Sequence, residues 1–244
     1  MKIEQATSPV INELWGKIES SMQGAKYLEE AAQELVSAIH SQFSDSVVIA
    51  RVFYSVPFDS LPSANQSFVK NLSESAGVGA EIDGTTPVLS LIGTHGQEED
   101  WNDRRKSKGH VGIPLISASF VGAIPMISRL LKELGVPIDW VDSHDMEIIK
   151  KAIGGSVGLF YVENAAEATD QKGRKIIVAQ DFVSKYNVKS VFGTGAVYEG
   201  GQMMVVVVFN RDIFSRDISE LFMTLASSFR NNTSSLVKEA KIFS

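Results

Sequence analysis

Apolar positions in the first part of the chain recur at helical spacing. Ser8-Pro9 opens a run in which Ile11, Leu14, Trp15, Ile18 and Met22 fall at offsets 0, 3, 4, 7 and 11, one face of a helix. Gly24 interrupts the pattern, and Leu28, Ala31, Ala32, Leu35, Ala38 and Ile39 resume it. Residues 1–42 therefore read as a helical hairpin or one broken helix. The period then changes. Residues 46–56 (SVVIARVFYSV) are rich in β-branched and aromatic side chains and end at Pro57, which predicts a strand. A short helix is expected from Ala64 to Ser75 and a second strand over 87–94 (PVLSLIGT). Residues 95–110 (HGQEEDWNDRRKSKGH) are polar and dense in charge, a long loop of the kind that often carries function. The apolar stretch 112–120 predicts another strand.

Further on, Ile124, Ile127, Leu130, Leu131 and Leu134 mark one helix face, with Pro125 in its first turn and Gly135 and Pro137 as its stop. A short helix over 143–152, a strand over 157–162 and a polar turn region over 163–175 follow. Asp181 is placed to cap a short helix over 181–186. Residues 189–198 and 202–210 flank Glu199-Gly200-Gly201, the strongest hairpin signal in the chain. The uninterrupted apolar run Met203–Phe209 reads as a central strand buried on both faces. Ile218, Leu221, Phe222, Leu225 and Phe229 then give a closing helix one apolar stripe. Strands joined by hairpins with helices at both ends define an α+β fold, with a mainly antiparallel sheet covered on one face by helices. The expected division is a helical segment, 1–42, and a sheet-bearing domain, 43–244, that ends in the amphipathic helix.

Composition narrows the function. The chain has 244 residues, 23 basic and 29 acidic, for a formal net charge of -6. An acidic chain without a basic run is a poor nucleic-acid binder and lacks the patch that draws proteins to anionic lipid. It contains no cysteine, which excludes disulfides, Cys-ligated metals, a Cys nucleophile and thioether-linked cofactors. No run approaches the ~18 apolar residues of a membrane span, and the N-terminus is too charged for a signal peptide. A cytoplasmic protein is expected.

Most searches for chemistry fail. Gly193-Thr194-Gly195 lacks the third glycine of a dinucleotide fingerprint, and there is no Walker loop, nucleophile elbow or His-x-x-x-His pair. Ser143-His144-Asp145 is a tripeptide, and triad members meet through separate elements rather than by adjacency. His40 reads as a satisfied helix-terminus histidine. His95 and His110 bracket a loop with Glu98, Glu99, Asp100 and Asp103, whose spacing matches no metal signature. Arg104 and Arg105 offer forked donors for a carboxylate or phosphate, beside Trp101 as an aromatic wall.

Residues 176–229 resemble the closing portion of GAF-like sensory domains of bacterial signalling proteins. The resemblance rests on Phe182, Val183 and Tyr186 in a short helix, then Ser190-Val191-Phe192-Gly193, the glycine hairpin, the strand ending in Phe209 and the closing helix. Residues 100–115 (DWNDRRKSKGHVGIPL) are similar to the middle loop and strand of the same group. The resemblance implies a sheet of five or six strands with helices behind it and a small-molecule pocket in front. Two departures matter: covalent bilin attachment lacks its cysteine, and the Asn-Lys-x-x-x-Phe pattern of cyclic-nucleotide members is absent.

The expected function is a non-catalytic sensor that binds an unidentified small molecule under the 95–110 loop. Its terminal helices would relay the ligand state to a signalling partner. Expected contacts, chosen by polarity and placement, are Tyr54, Trp101, Arg104, Arg105, His110 and Tyr198. The chain carries no output module after the closing helix, so a separate partner or an excised fragment is expected. The alternatives are a haem or metal sensor using His95 or His110, and a small hydrolase with a histidine base. The apolar stripes of the first and last helices exceed what one sheet face needs, which predicts a homodimer.

Overall fold

The computed structural model describes residues 1–143 and 158–244. The helix expected over 143–152 falls almost wholly outside them, as does His144. Six strands form one sheet: β1 (Val47–Pro57), β2 (Pro87–Gly96), β3 (Gly112–Pro114), β4 (Leu159–Val162), β5 (Ser190–Val197) and β6 (Met203–Asn210). Their order is β3-β2-β1-β6-β5-β4, and each neighbouring pair is antiparallel. The β5–β6 hairpin is the one expected, closed by Gly201 at φ 86°, a conformation that costs glycine little.

Side chains alternate across this sheet and build two apolar cores. Behind it lie α1 (Ser8–Met22), α2 (Leu28–Gln42) and a long C-terminal helix, while α3 (Ser63–Ser75), the helix expected over 64–75, packs its Val69 against Gly112 of β3. Ala50, Val52, Tyr54 and Val56 of β1 point to these helices, as do Met204, Val206 and Val208 of β6. Val205 and Val207 point to the opposite face and a second core, with Phe160 and Val162 of β4. That face is covered by shorter pieces: α4 (Ala118–Gly122), α5 (Pro125–Glu133), α6 (Trp140–Ser143) and α7 (Gln180–Lys185). Wholly apolar Met203–Phe209 serves both cores, as a strand buried on both faces must.

Three elements differ from expectation, each for a local reason. The strand expected over 112–120 stops at Pro114. Ser117 then caps α4, its Oγ accepting from the Phe120 amide at 3.1 Å. The 180–185 helix is entered from Ala179, so Asp181 lies in the first turn, where its charge favours the helix dipole without capping it. The closing helix is two pieces, α8 (Arg216–Glu220) and α9 (Met223–Lys238).

The stripes of the terminal helices are spent within the chain. Ile11, Leu14 and Ile18 of α1 and Leu225 and Phe229 of α9 are all at most 2% exposed. Most of the apolar surface that suggested a second copy is taken up by this chain's own core, with Trp15, Ile218 and Leu221 left half-buried against it. Packing of α2 on β2 is close at Gly93, where a Cβ would lie 2.7 Å from the backbone carbonyl carbon and oxygen of Ala32. Gly93→Ala is expected to push α2 off the sheet and cost about 1–3 kcal/mol in denaturant unfolding. An unchanged midpoint would show that α2 shifts freely.

Candidate functional site

A cavity of about 350 Å³ lies between the sheet and its thinner cover. Its floor comes from β1 and β6: Ile49, Arg51 and Phe53 alternate along one strand, Val205, Val207 and Phe209 along the other. Ile127 and Leu130 of α5 form one wall. Ile176, Ile177 and Val178 form another, with Val178 68% exposed. The 95–110 segment supplies Trp101, Gly109 and His110. Trp101 stands on Phe182 and Tyr186, at ring separations of 5.8 and 4.7 Å, and Phe182 meets Phe209 edge-on at 5.5 Å. This aromatic cluster closes one end of the cavity.

Two polar side chains face the space. Arg51 donates from Nη1 to the Gly109 carbonyl at 3.2 Å and from Nη2 to Ser107 Oγ at 3.4 Å. Its Nε is buried and has no acceptor. Burial lowers the guanidinium pKa to about 10, which leaves it charged at neutral pH. His110 adopts φ 54°, a conformation uncommon outside glycine. The residue is exposed as a whole, yet desolvation of its ring first and the Arg51 charge second push its pKa down, favouring neutral imidazole. Among the described residues, no lining side chain is a carboxylate, hydroxyl, lysine or thiol.

The six expected contacts part company here. Trp101 and His110 line the cavity. Tyr54 and Tyr198 do not: they lie behind the sheet, edge to face at 5.6 Å, with the Tyr198 hydroxyl 2.8 Å from Thr233 Oγ1. Strand parity decides this, because Tyr54 is an odd number of residues from Arg51 and points the other way. Arg104 and Arg105 also face away from the cavity. Arg104 is buried and bonded to the buried Glu29 carboxylate of α2 through Nε and Nη2, and its guanidinium stacks over Phe243 at 5.0 Å. Arg105 reaches the same carboxylate at 3.5 Å and Ser244 Oγ at 2.9 Å. These two forks hold the loop to the protein rather than facing a ligand. Arg51, which reading by polarity had passed over, is the cation that faces the cavity. Its signal was a charge inside the otherwise apolar strand VVIARVFY.

The histidines separate as well. His95 Nδ1 lies 3.1 Å from Ser37 Oγ, and its ring packs on His40 at 4.9 Å, away from the cavity lining. His40 is not satisfied, since its buried Nε2 has no partner. Burial, then His95 and Arg211, lower its pKa to about 4. No cluster of three metal-ligating side chains occurs among the described residues. Nor is any helix among them long and apolar enough to cross a membrane.

No family model matches the sequence, and no curated protein does. Solved structures do match in fold. The phycocyanobilin-bound GAF domain of a cyanobacterial phytochrome aligns at TM-score 0.51 and 10% identity, covering 94% of this chain and 96% of that one. The GAF domain of a phosphoenolpyruvate-protein phosphotransferase from Coxiella burnetii aligns at 0.50 and 10%, covering 96% and 99%. Free methionine-R-sulfoxide reductase from Neisseria meningitidis, in complex with its substrate, aligns at 0.52 and 10%, covering 97% and 96%. The chain is a GAF-like domain in fold.

Two expectations follow for the groups outside the cavity. Arg104→Ala leaves the buried Glu29 carboxylate with only Ser244 and the long contact to Arg105, and is expected to cost about 3 kcal/mol in stability. Arg105→Ala, at a 63% exposed side chain, is expected to cost under about 1 kcal/mol. Equal small effects in chemical denaturation would show that the Glu29 pair is dispensable. The second expectation concerns pH. The unfolded His40 ring titrates near 6.5 and the folded one at about 4. Between those values the unfolded chain binds the extra proton, so stability falls as pH drops through the window. His95 and His110 shift in the same direction. His40→Phe is therefore expected to flatten, without abolishing, the fall in unfolding midpoint between pH 7 and 4.5; superimposable profiles would exonerate His40.

Proposed function

We propose that this protein is a non-catalytic, cytoplasmic sensor domain that binds a small molecule in the front cavity and relays its presence in bacterial signalling. The observation that carries the reading is the cavity itself. It is concave and apolar and holds two convergent polar groups, the usual make-up of a small-molecule site. Its volume falls at the lower end of the roughly 300–1,000 Å³ range of ligand pockets. The lining argues for binding rather than turnover. His110 has no carboxylate or nucleophile beside it among the described lining residues, so a general base there has nothing to work with.

The relay has a physical route. The cavity floor and the helix-bearing rear face share the same strands, so a side chain displaced at Val205 or Val207 moves the backbone that carries Val206 and Val208. Those residues pack in one core with α1, α2 and α9. A partner protein or a second copy reading the outer surfaces of these helices would sense the change. For a second copy the half-buried Trp15, Ile218 and Leu221 are what remains of the apolar stripes.

Binding is testable without knowing the natural ligand. The neutral fluorescent probe N-phenyl-1-naphthylamine is expected to brighten on binding the wild-type protein. Val207→Trp, which fills the floor with an indole, is expected to weaken that binding at least about tenfold, the equivalent of roughly 1.4 kcal/mol. Absence of binding to the wild type, or undiminished binding to a folded Val207→Trp variant, would remove the cavity from the function.

A further inference from the structure

The charge balance of the cavity says what its occupant must bring. Arg51 projects from the middle of β1 into a space walled by Ile49, Phe53, Ile127, Val205 and Val207. A guanidinium taken out of water needs an anion or a full set of acceptors. Five of the other seven arginines have a carboxylate: Arg104 and Arg105 meet Glu29, Arg129 meets Glu133, Arg174 meets Asp170 and Arg216 meets Glu220, while Arg211 and Arg230 bond to the amide oxygens of Gln97 and Asn231. Arg51 has no ion pair with a carboxylate among the described residues. Its two protein acceptors are neutral, the Gly109 carbonyl and the Ser107 hydroxyl, and both belong to one stretch of loop. Its Nε has no acceptor at all. Neutral His110 stands close by with a ring nitrogen to donate.

We propose, resting on the reading of this cavity as a small-molecule site, that its ligand is an organic carboxylate with an apolar body, the carboxylate seated on Arg51 and the body against the aliphatic walls. A planar carboxylate matches the guanidinium fork, with His110 as a further donor. A phosphate ester is a poorer fit. It carries up to two charges and several more acceptor oxygens, whereas Arg51 is the one cationic side chain in the described lining, with the His110 imidazole and the Trp101 indole as the neutral donors. The walls exclude a small polar acid for the converse reason, since it would leave the aliphatic surfaces unfilled. Medium-chain aliphatic acids and aromatic acids are the matching sizes.

The test compares an acid with its neutral isostere. Octanoate and octanamide are titrated calorimetrically into wild-type, Arg51→Met and Val207→Trp proteins, each checked for folding by circular dichroism. The wild type is expected to bind octanoate about tenfold or more tightly than octanamide, as one desolvated charge-assisted pair allows. Arg51→Met keeps an apolar stem of similar length, so it is expected to lose that preference while holding octanamide within about threefold of the wild type. Val207→Trp is expected to weaken both. Equal binding of acid and amide by the wild type overturns the charge assignment, leaves the cavity reading standing and makes Arg51 a clamp for the 107–109 loop. A preference that survives in Arg51→Met also overturns the assignment. Failure of both compounds to bind the wild type overturns the assignment and the cavity reading together.

Discussion

The structure depends on the period-two alternation of its two central strands. β1 and β6 lie in the middle of the sheet, and each sends every second side chain backwards and the rest forwards. The rear set has three helices against it and is sealed by large aromatic and aliphatic groups, including Phe43, Phe222 and Phe229, none more than 1% exposed. The front set has only short helices and loops above it. One strand layer thus divides a fully packed core from an incompletely packed one. A single-residue slip in β1 would place Arg51 in the rear core, where every neighbour is apolar, so the buried helices also fix the register that aims the cation at the cavity.

The 95–110 segment joins the two halves of this arrangement. One side of it, Trp101 and His110, closes the cavity. The other side, Arg104 and Arg105, grips Glu29 at the start of α2. Glu29 Oε1 also accepts from the Ser244 amide at 2.9 Å, and the Leu28 amide donates to the Lys241 carbonyl at 2.8 Å. The loop, the N-terminus of α2 and residues 241–244 therefore meet at a single carboxylate. Glu29 and Arg104 are buried while Arg105 and Ser244 are exposed, so removing Arg104 costs far more than breaking a surface ion pair. A ligand that moves Trp101 would pull on that junction.

What was legible in the sequence was local. The β5–β6 hairpin, the strands at 47–57 and 87–96 and the helices at 8–22 and 125–133 each carry their signal within a dozen residues. The 112–120 stretch failed because apolar content alone does not separate a strand from a capped short helix, and Ser117 decided it. Site residues were harder, since polarity says nothing about which face a side chain takes. Tyr54 and Arg51 sit three residues apart on one strand and end in different cores. Parity would have separated them, for Arg51 shares its face with Ile49 and Phe53. The Glu29–Arg104 pair, 75 residues apart in sequence, had no local signal at all. Two arginines in a charged loop look alike whether they bind a ligand or a buried carboxylate.

The same physics explains why the front core can remain open. A dry void costs about 24 cal/mol per Å³, so one of about 350 Å³ would cost about 8 kcal/mol, comparable to the whole stability of an ordinary domain. Water lowers that figure near the mouth, where Val178 meets solvent, but apolar walls hold water poorly. Filling the space would have been simple: larger side chains at Val205 or Val207 close it from the floor. The rear core shows that this sequence packs tightly where nothing else is required. The front core keeps small aliphatic residues at Val205 and Val207, an arginine without a counter-charge among the described residues and a histidine at positive φ, three local costs gathered in one place. An anionic, apolar occupant relieves the first two at once, and its binding energy then adds directly to the stability of the folded state.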